Sequence, residues 1–66
     1  MNKIKGYRNM IGKSQEEMAE LLGVHVNTYK NWEENPEKFK VDKAFIFLEE
    51  VKKYDSDVKF EDIFLK

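Results

Sequence analysis

Ser14-Gln15-Glu16-Glu17 leaves little freedom over where one helix of this chain begins. A serine hydroxyl can accept from the bare N–H groups of a first turn, and a glutamate three residues on can reach back to the serine's own N–H. Met18, Ala19, Leu21 and Leu22 supply an apolar face behind that start, and Gly23 can take the left-handed backbone conformation that ends it. The helix therefore spans about Gln15 to Leu22. Only Val24 and His25 separate Gly23 from a second helical pattern, in which Thr28, Tyr29 and Trp32 share a face while Val26, Asn27, Lys30 and Asn31 point elsewhere. That helix runs from Val26 to Glu33 and stops near Glu34, because Pro36 biases Asn35 away from helical geometry. Two short helices thus meet at a tight glycine turn.

The flanking segments follow the same periodicity. Ile4, Tyr7 and Ile11 recur at the spacing of one helical stripe, and Gly12 stands where a helix would stop, so a first helix is expected over about Lys3 to Ile11. After a polar loop to about Val41, Asp42 is placed to cap a fourth helix from Lys43 to Tyr54. Its apolar face would be Ala44, Phe45, Leu48 and Val51, with Phe47 and Tyr54 at the margins. Asp55-Ser56-Asp57 reads as a connector and Val58 to Phe64 as a short closing helix. The expectation is an all-α chain, one domain over residues 1–66, built as a compact bundle of about five short helices.

With no cysteine, neither disulfides nor thiolate metal sites can supplement a core this small, so apolar helix contacts must carry stability. The basic start Met1-Asn2-Lys3-Ile4-Lys5 lacks the apolar stretch of a signal peptide, and no run approaches the roughly 20 apolar residues of a membrane span. A cytoplasmic protein with no membrane partner is expected. Twelve Lys and Arg against 13 Asp and Glu leave a net charge of −1, but the charge is unevenly spread. Residues 1–15 hold Lys3, Lys5, Arg8 and Lys13 with no acid (+4), whereas residues 44–66 hold four bases and six acids (−2). One end can therefore approach phosphate while the other stays in solvent. An enzyme is the least attractive class: there is no Gly-rich phosphate loop, and the one histidine, His25, has neither the company of a metal site nor that of a Ser-His-Asp triad. No cofactor or metal is expected, and Glu16-Glu17 and Glu49-Glu50 read as solvated helix faces.

Two short helices joined by a glycine turn, the second backed by aromatics and exposing small amides, form the helix-turn-helix arrangement for entering the major groove of DNA. The run from Arg8 to Val24, with Thr28-Tyr29 and Trp32-Glu33, resembles the Cro and C1-type (XRE) helix-turn-helix family of phage and bacterial transcriptional repressors. Ser-Gln-Glu-Glu-x-Ala-x-x-Leu-Gly, over residues 14–23, is the part of the match with the highest specificity, and Val58 to Phe64 is similar to the family's closing segment. The resemblance implies a lambda-repressor-like DNA-binding fold. Carried over by position, its base-reading residues fall on Val26, Asn27 and Asn31, with Lys30 beside them on the same surface. An Asn amide can donate to adenine N7 and accept from N6 in one plane, and an exposed Val26 can meet a thymine methyl, so an A·T-containing half-site is expected. Gln15 matches a residue that bonds a DNA phosphate at the start of the second helix. Lys13, Lys38 and Lys40 are further phosphate candidates on the flanking loops, and His25 stands where it can bind phosphate or cap the next helix through its ring. Arg8 and Glu33 match a partly buried ion pair joining the first helix to the third, which makes both structural, and Tyr29, Trp32 and Phe45 are expected in the core.

The implied partner is a double-stranded DNA operator. A homodimer is expected on it, because one short helix reads only a few base pairs, and Phe60, Phe64 and Leu65 are the first residues to consider for its interface. The rival expectation is an antirepressor or modulator that binds a partner repressor through the same fold. It draws on the slightly acidic total, on Glu34 and Glu37 after the recognition segment, and on an exposed Val26.

Overall fold

A computed structural model describes residues 3–64, and every regular element among them is helical. Five α-helices follow one another: α1 (Lys3–Met10), α2 (Gln15–Leu22), α3 (Val26–Glu34), α4 (Val41–Lys52) and α5 (Phe60–Phe64), with a 3-10 turn at Pro36–Lys38 between α3 and α4. None is long and apolar enough to cross a membrane. The all-α bundle stands as expected.

Local signals set the first three helices. Ile4 and Ile11 are buried on one stripe with Tyr7 half-buried beside them, and Gly12, at φ 72°, turns the chain out of α1. The capping box forms in full: Ser14 Oγ accepts from the Glu17 N–H at 3.0 Å, and the Ser14 N–H donates to Glu17 Oε1 at 2.8 Å. Gly23, at φ 73°, closes α2 with its N–H on the Glu20 carbonyl, and the Val24 N–H follows onto the Ala19 carbonyl. His25 then caps α3, its Nδ1 accepting from the Asn27 N–H at 3.1 Å. Asn35 leaves the helix at φ −129°, ψ 77°, outside the helical region that a following proline disfavours.

The second half departs from expectation in instructive ways. Helix α4 starts at Val41, with Lys40 at its N-cap and no side-chain cap, so Asp42 sits inside the first turn rather than capping it. There its charge faces the positive end of the helix dipole. The buried face of α4 is rotated as well: Phe47 is 0% exposed and joins Ala44, Leu48 and Val51 inside, while Phe45 is 51% exposed. Positions 44, 47, 48 and 51 form an i, i+3, i+4, i+7 stripe, which suits a helix better than one built through Phe45. Leu21, expected on the inner face of α2, is also exposed. Glu50, expected in solvent, is buried, with Lys53 Nζ at 3.0 Å and Lys13 Nζ at 3.7 Å. Helix α5 begins at Phe60, two residues later than expected, where Asp62 Oδ2 accepts from the Lys59 N–H at 2.9 Å. Val58 is buried from the preceding loop.

The core gathers Ile4 and Ile11, then Met18, Ala19 and Leu22 of α2, Tyr29 of α3, Phe47, Leu48 and Val51 of α4, and Val58 and Ile63 near the end. Phe39, on the loop after the 3-10 turn, ties this core to α3. Its ring lies 4.9 Å from Trp32 and 5.0 Å from Phe64, and edge-on to Tyr29 and Phe47. Each such burial contributes about 1.5–3 kcal/mol. The Cα radius of gyration is 10.5 Å, close to the roughly 11 Å of a compact chain this long. Helix α2 lies against α3 and α4, and α5 against α1 and α4, so α3 is held on one side with its other side turned outward.

Candidate nucleic-acid interface

Helix α3 has two chemically distinct sides. Tyr29, Trp32 and Glu33 are buried beneath it, and Asn27, Lys30, Asn31 and Glu34 are exposed at the i, i+3, i+4, i+7 spacing of one outward stripe. Three of the four residues expected to read bases therefore share one surface. Val26, the fourth, is half-buried and rests against the core instead of standing exposed, so its side chain offers only part of its surface to a partner. Apolar contact with the core explains a β-branched residue at that position without any ligand.

Beneath the stripe lies a polar clamp. Arg8 Nε donates to Glu33 Oε2 at 2.7 Å, Arg8 Nη2 donates to Glu33 Oε1 at 3.1 Å, and Arg8 Nη1 donates to the Lys13 carbonyl at 2.8 Å. The two side chains are only 8% and 4% exposed, so the pair is buried rather than a surface contact. Gln15 Nε2 adds a donor to Glu33 Oε1 at 3.0 Å, which ties the start of α2 into the same clamp. Burial alone would raise the Glu33 pKa, but the hydrogen bonds and charge of Arg8 together with the neighbouring Tyr29 hydroxyl and Gln15 amide outweigh it and hold the carboxyl below its ordinary value. The Arg8 guanidinium is held protonated chiefly by its hydrogen bond to Glu33. The Tyr29 hydroxyl is buried and meets no partner in hydrogen-bond geometry, yet burial and the neighbouring Glu33 carboxylate push its pKa well up.

The clamp changes what the phosphate candidates can offer. One amide N–H of Gln15 is committed to Glu33, and the half-buried Lys13 ammonium faces Glu50, so neither stands as an unengaged donor. Of the four bases in residues 1–15, Arg8 and Lys13 are thus matched to buried carboxylates. Lys38 and Lys40 are exposed on the loop after α3, and His25 is exposed at the N-terminus of α3, where its ring serves as the cap.

One residue of this surface escaped the sequence. Asn35 Nδ2 donates to Asn31 Oδ1 at 3.0 Å and to the Asn31 carbonyl at 3.1 Å, while its own N–H donates to that same carbonyl at 2.8 Å. The available signal was an Asn four residues after an Asn and directly before Pro36, where a side-chain amide can reach back one turn. Among the described residues Asn35 is the side chain that touches the end of Asn31 expected to meet a base.

Comparison with known proteins agrees with this geometry. The helix-turn-helix family matches residues 4–50, from α1 into the last turn of α4, and no curated protein and no solved structure gives a match. That span covers well over half of the 66 residues and includes both the clamp and the outward stripe. The chain therefore belongs to the helix-turn-helix family of the Cro and C1 (XRE) type, a family of DNA-binding regulatory domains.

Proposed function

We propose that this protein is a sequence-specific transcriptional regulator that lays α3 in the major groove of an operator. The observation that carries this function is the exposed stripe of Asn27, Lys30 and Asn31 on a helix locked from below by the Arg8–Glu33–Gln15 clamp. Two amides and an ammonium on a rigid helix suit the donor and acceptor pattern of base edges. Val26 can still present part of its surface to a thymine methyl. The second N–H of the Gln15 amide, the His25 ring, and Lys38 and Lys40 would meet the phosphate backbone around it. Lys13 would have to leave Glu50 to do so.

The protein binds its operator as a homodimer, with two copies of α3 on half-sites about one DNA turn apart. The exposed Phe45, stacked on Phe60 at 5.1 Å, supports an interface near the α4–α5 side. Leu65, the third residue expected there, lies outside the described residues. A specific observation favours a second function, binding to a partner repressor: Glu34 closes the same stripe, and Arg8 and Lys13 are neutralised by buried carboxylates. The two functions separate in a gel-shift titration on the DNA flanking the gene. Specific binding that weakens with salt, at a slope matching about 3 to 5 phosphates per protomer, establishes the operator function. No binding at low salt, with a second repressor co-purifying, establishes the other.

A further inference from the structure

An isolated Asn on a recognition surface is ambiguous, because turning its amide by half a revolution exchanges the donor end for the acceptor end. Asn31 is not isolated. Near the C-terminus of α3 its backbone carbonyl accepts from Asn35 Nδ2 at 3.1 Å. A carbonyl can only accept, so this bond requires Asn35 to turn its NH2 end, not its oxygen, toward the helix. The same NH2 group then meets the Asn31 side chain at 3.0 Å and draws in its only acceptor, Oδ1. The orientation passes from a backbone carbonyl to one amide and then to the next. Asn35 is itself steadied by its backbone N–H on the Asn31 carbonyl and by Pro36 behind it.

We infer that Asn35 is a positioning residue for base selection: it draws the Asn31 carbonyl back along α3 and leaves the Asn31 Nδ2–H2 group facing the groove, so that Asn31 selects a base edge bearing acceptors. Guanine, with N7 and O6 side by side, offers two acceptors to those two hydrogens. Adenine presents one acceptor and one donor, and reading both needs the Asn31 oxygen to face the base edge beside its NH2, which an oxygen drawn back along α3 to Asn35 does not do. At the pair that Asn31 meets, the half-site therefore carries G·C rather than the A·T expected of an unconstrained Asn. This inference rests on the operator function proposed above.

The test begins by selecting duplexes from a randomised pool with the parent protein and locating the pair at which Asn31→Ala loses discrimination. If no duplex is enriched, the operator function fails and takes this inference with it. Where a site is found, parent affinity at that pair is expected to favour G·C over A·T by about tenfold, within the range of a good base contact. Replacing that guanine with 7-deazaguanine, which needs no protein variant, should remove several-fold of the preference. Asn35→Ala should bring the ratio near one. Asn35→Asp should do the same, because a carboxylate cannot donate to the Asn31 carbonyl or to Oδ1 and so cannot hold that oxygen back. The readout is a ratio between duplexes for the same protein, so any uniform weakening from added charge or lost stability cancels. Circular dichroism and melting confirm that each variant is folded. A parent preference for adenine at that pair overturns the inference, as does a guanine preference insensitive to 7-deazaguanine or one that both Asn35 variants keep within twofold.

Discussion

At the scale of single residues, the Arg8–Glu33 pair has the largest expected consequence. It is buried, doubly hydrogen-bonded and joined by Gln15, so removing one partner leaves a charge in the interior with nothing to balance it. Arg8→Met is expected to cost about 3–5 kcal/mol in urea unfolding at neutral pH, and stability equal to the parent would contradict a buried pair. The same pair gives stability a pH dependence of known sign. The folded Glu33 carboxyl is held below its ordinary value of 4.5. Its contribution is therefore complete above the ordinary range and is lost as pH falls through the lower folded value. Urea midpoints should decline on acidification below about pH 4.5, and the contribution of Glu33 should vanish from that decline in Glu33→Gln. Tyr29 predicts the opposite kind of result. Its hydroxyl is buried without a hydrogen-bond partner, so Tyr29→Phe removes a desolvated group and keeps the ring. Stability within about 1 kcal/mol of the parent, or above it, is expected, and a larger loss would mean that the phenol bonds Glu33 after all.

At the scale of elements, two devices define α2. Ser14→Ala removes the acceptor that holds the Glu17 N–H and should cost about 1 kcal/mol, whereas Glu17→Gln keeps a side chain able to reach back to Ser14 and should cost less. Gly23→Ala should cost about 1–2 kcal/mol through backbone strain alone, because φ is 73° and the nearest atom to an added methyl is Lys43 Nζ at 3.9 Å. In a domain this small each kilocalorie is expected to move the melting midpoint by about 4–8 °C, so thermal melts resolve these effects. The start of α4 should be insensitive by comparison. Asp42→Asn loses only a dipole contact worth about 0.3–1 kcal/mol, since Asp42 caps nothing.

At the scale of the whole molecule, the aromatic rings form a continuous path from the exposed Phe45 through Phe60, Phe64 and Phe39 to Trp32 beneath α3. The path makes Phe64 a poor probe of assembly, because an acid there would break contacts with Phe39 and Phe47 and unfold the chain. Phe45 is the better probe, half exposed at the outer end. If the protein dimerises near α4 and α5, Phe45→Asp should halve the mass in solution to the 7.9 kDa of a single chain while the far-ultraviolet circular dichroism stays helical. A mass that does not change would place the interface elsewhere. Charge acts at this scale too. With Arg8 and Lys13 each matched to a carboxylate, two of the four positive charges of residues 1–15 are offset locally, so DNA should be steered from a distance more weakly than the +4 alone implies, and association rates should fall less with salt than for a uniformly basic domain.

The bounds of α2 and most of α3 were legible in the amino-acid sequence, as was the Arg8–Glu33 pairing through the family resemblance. Capping bonds, a left-handed glycine and a proline act within about four residues of themselves and need no distant partner. The outward stripe of Asn27, Lys30 and Asn31 followed from helical periodicity for the same reason. What the sequence left open was every question of rotation and partnership between segments far apart. Phe47 displaced Phe45 from the core because α4 turns to meet α2 and α5. Glu50 was buried because Lys13 comes to it from the loop between α1 and α2, Val26 was half covered because the core reaches it, and Gln15 was drawn toward Glu33 from another helix. Asn35 lay within local reach of Asn31, but only the folded end of α3, where its side chain is brought against the Asn31 carbonyl, decided which way its amide faces.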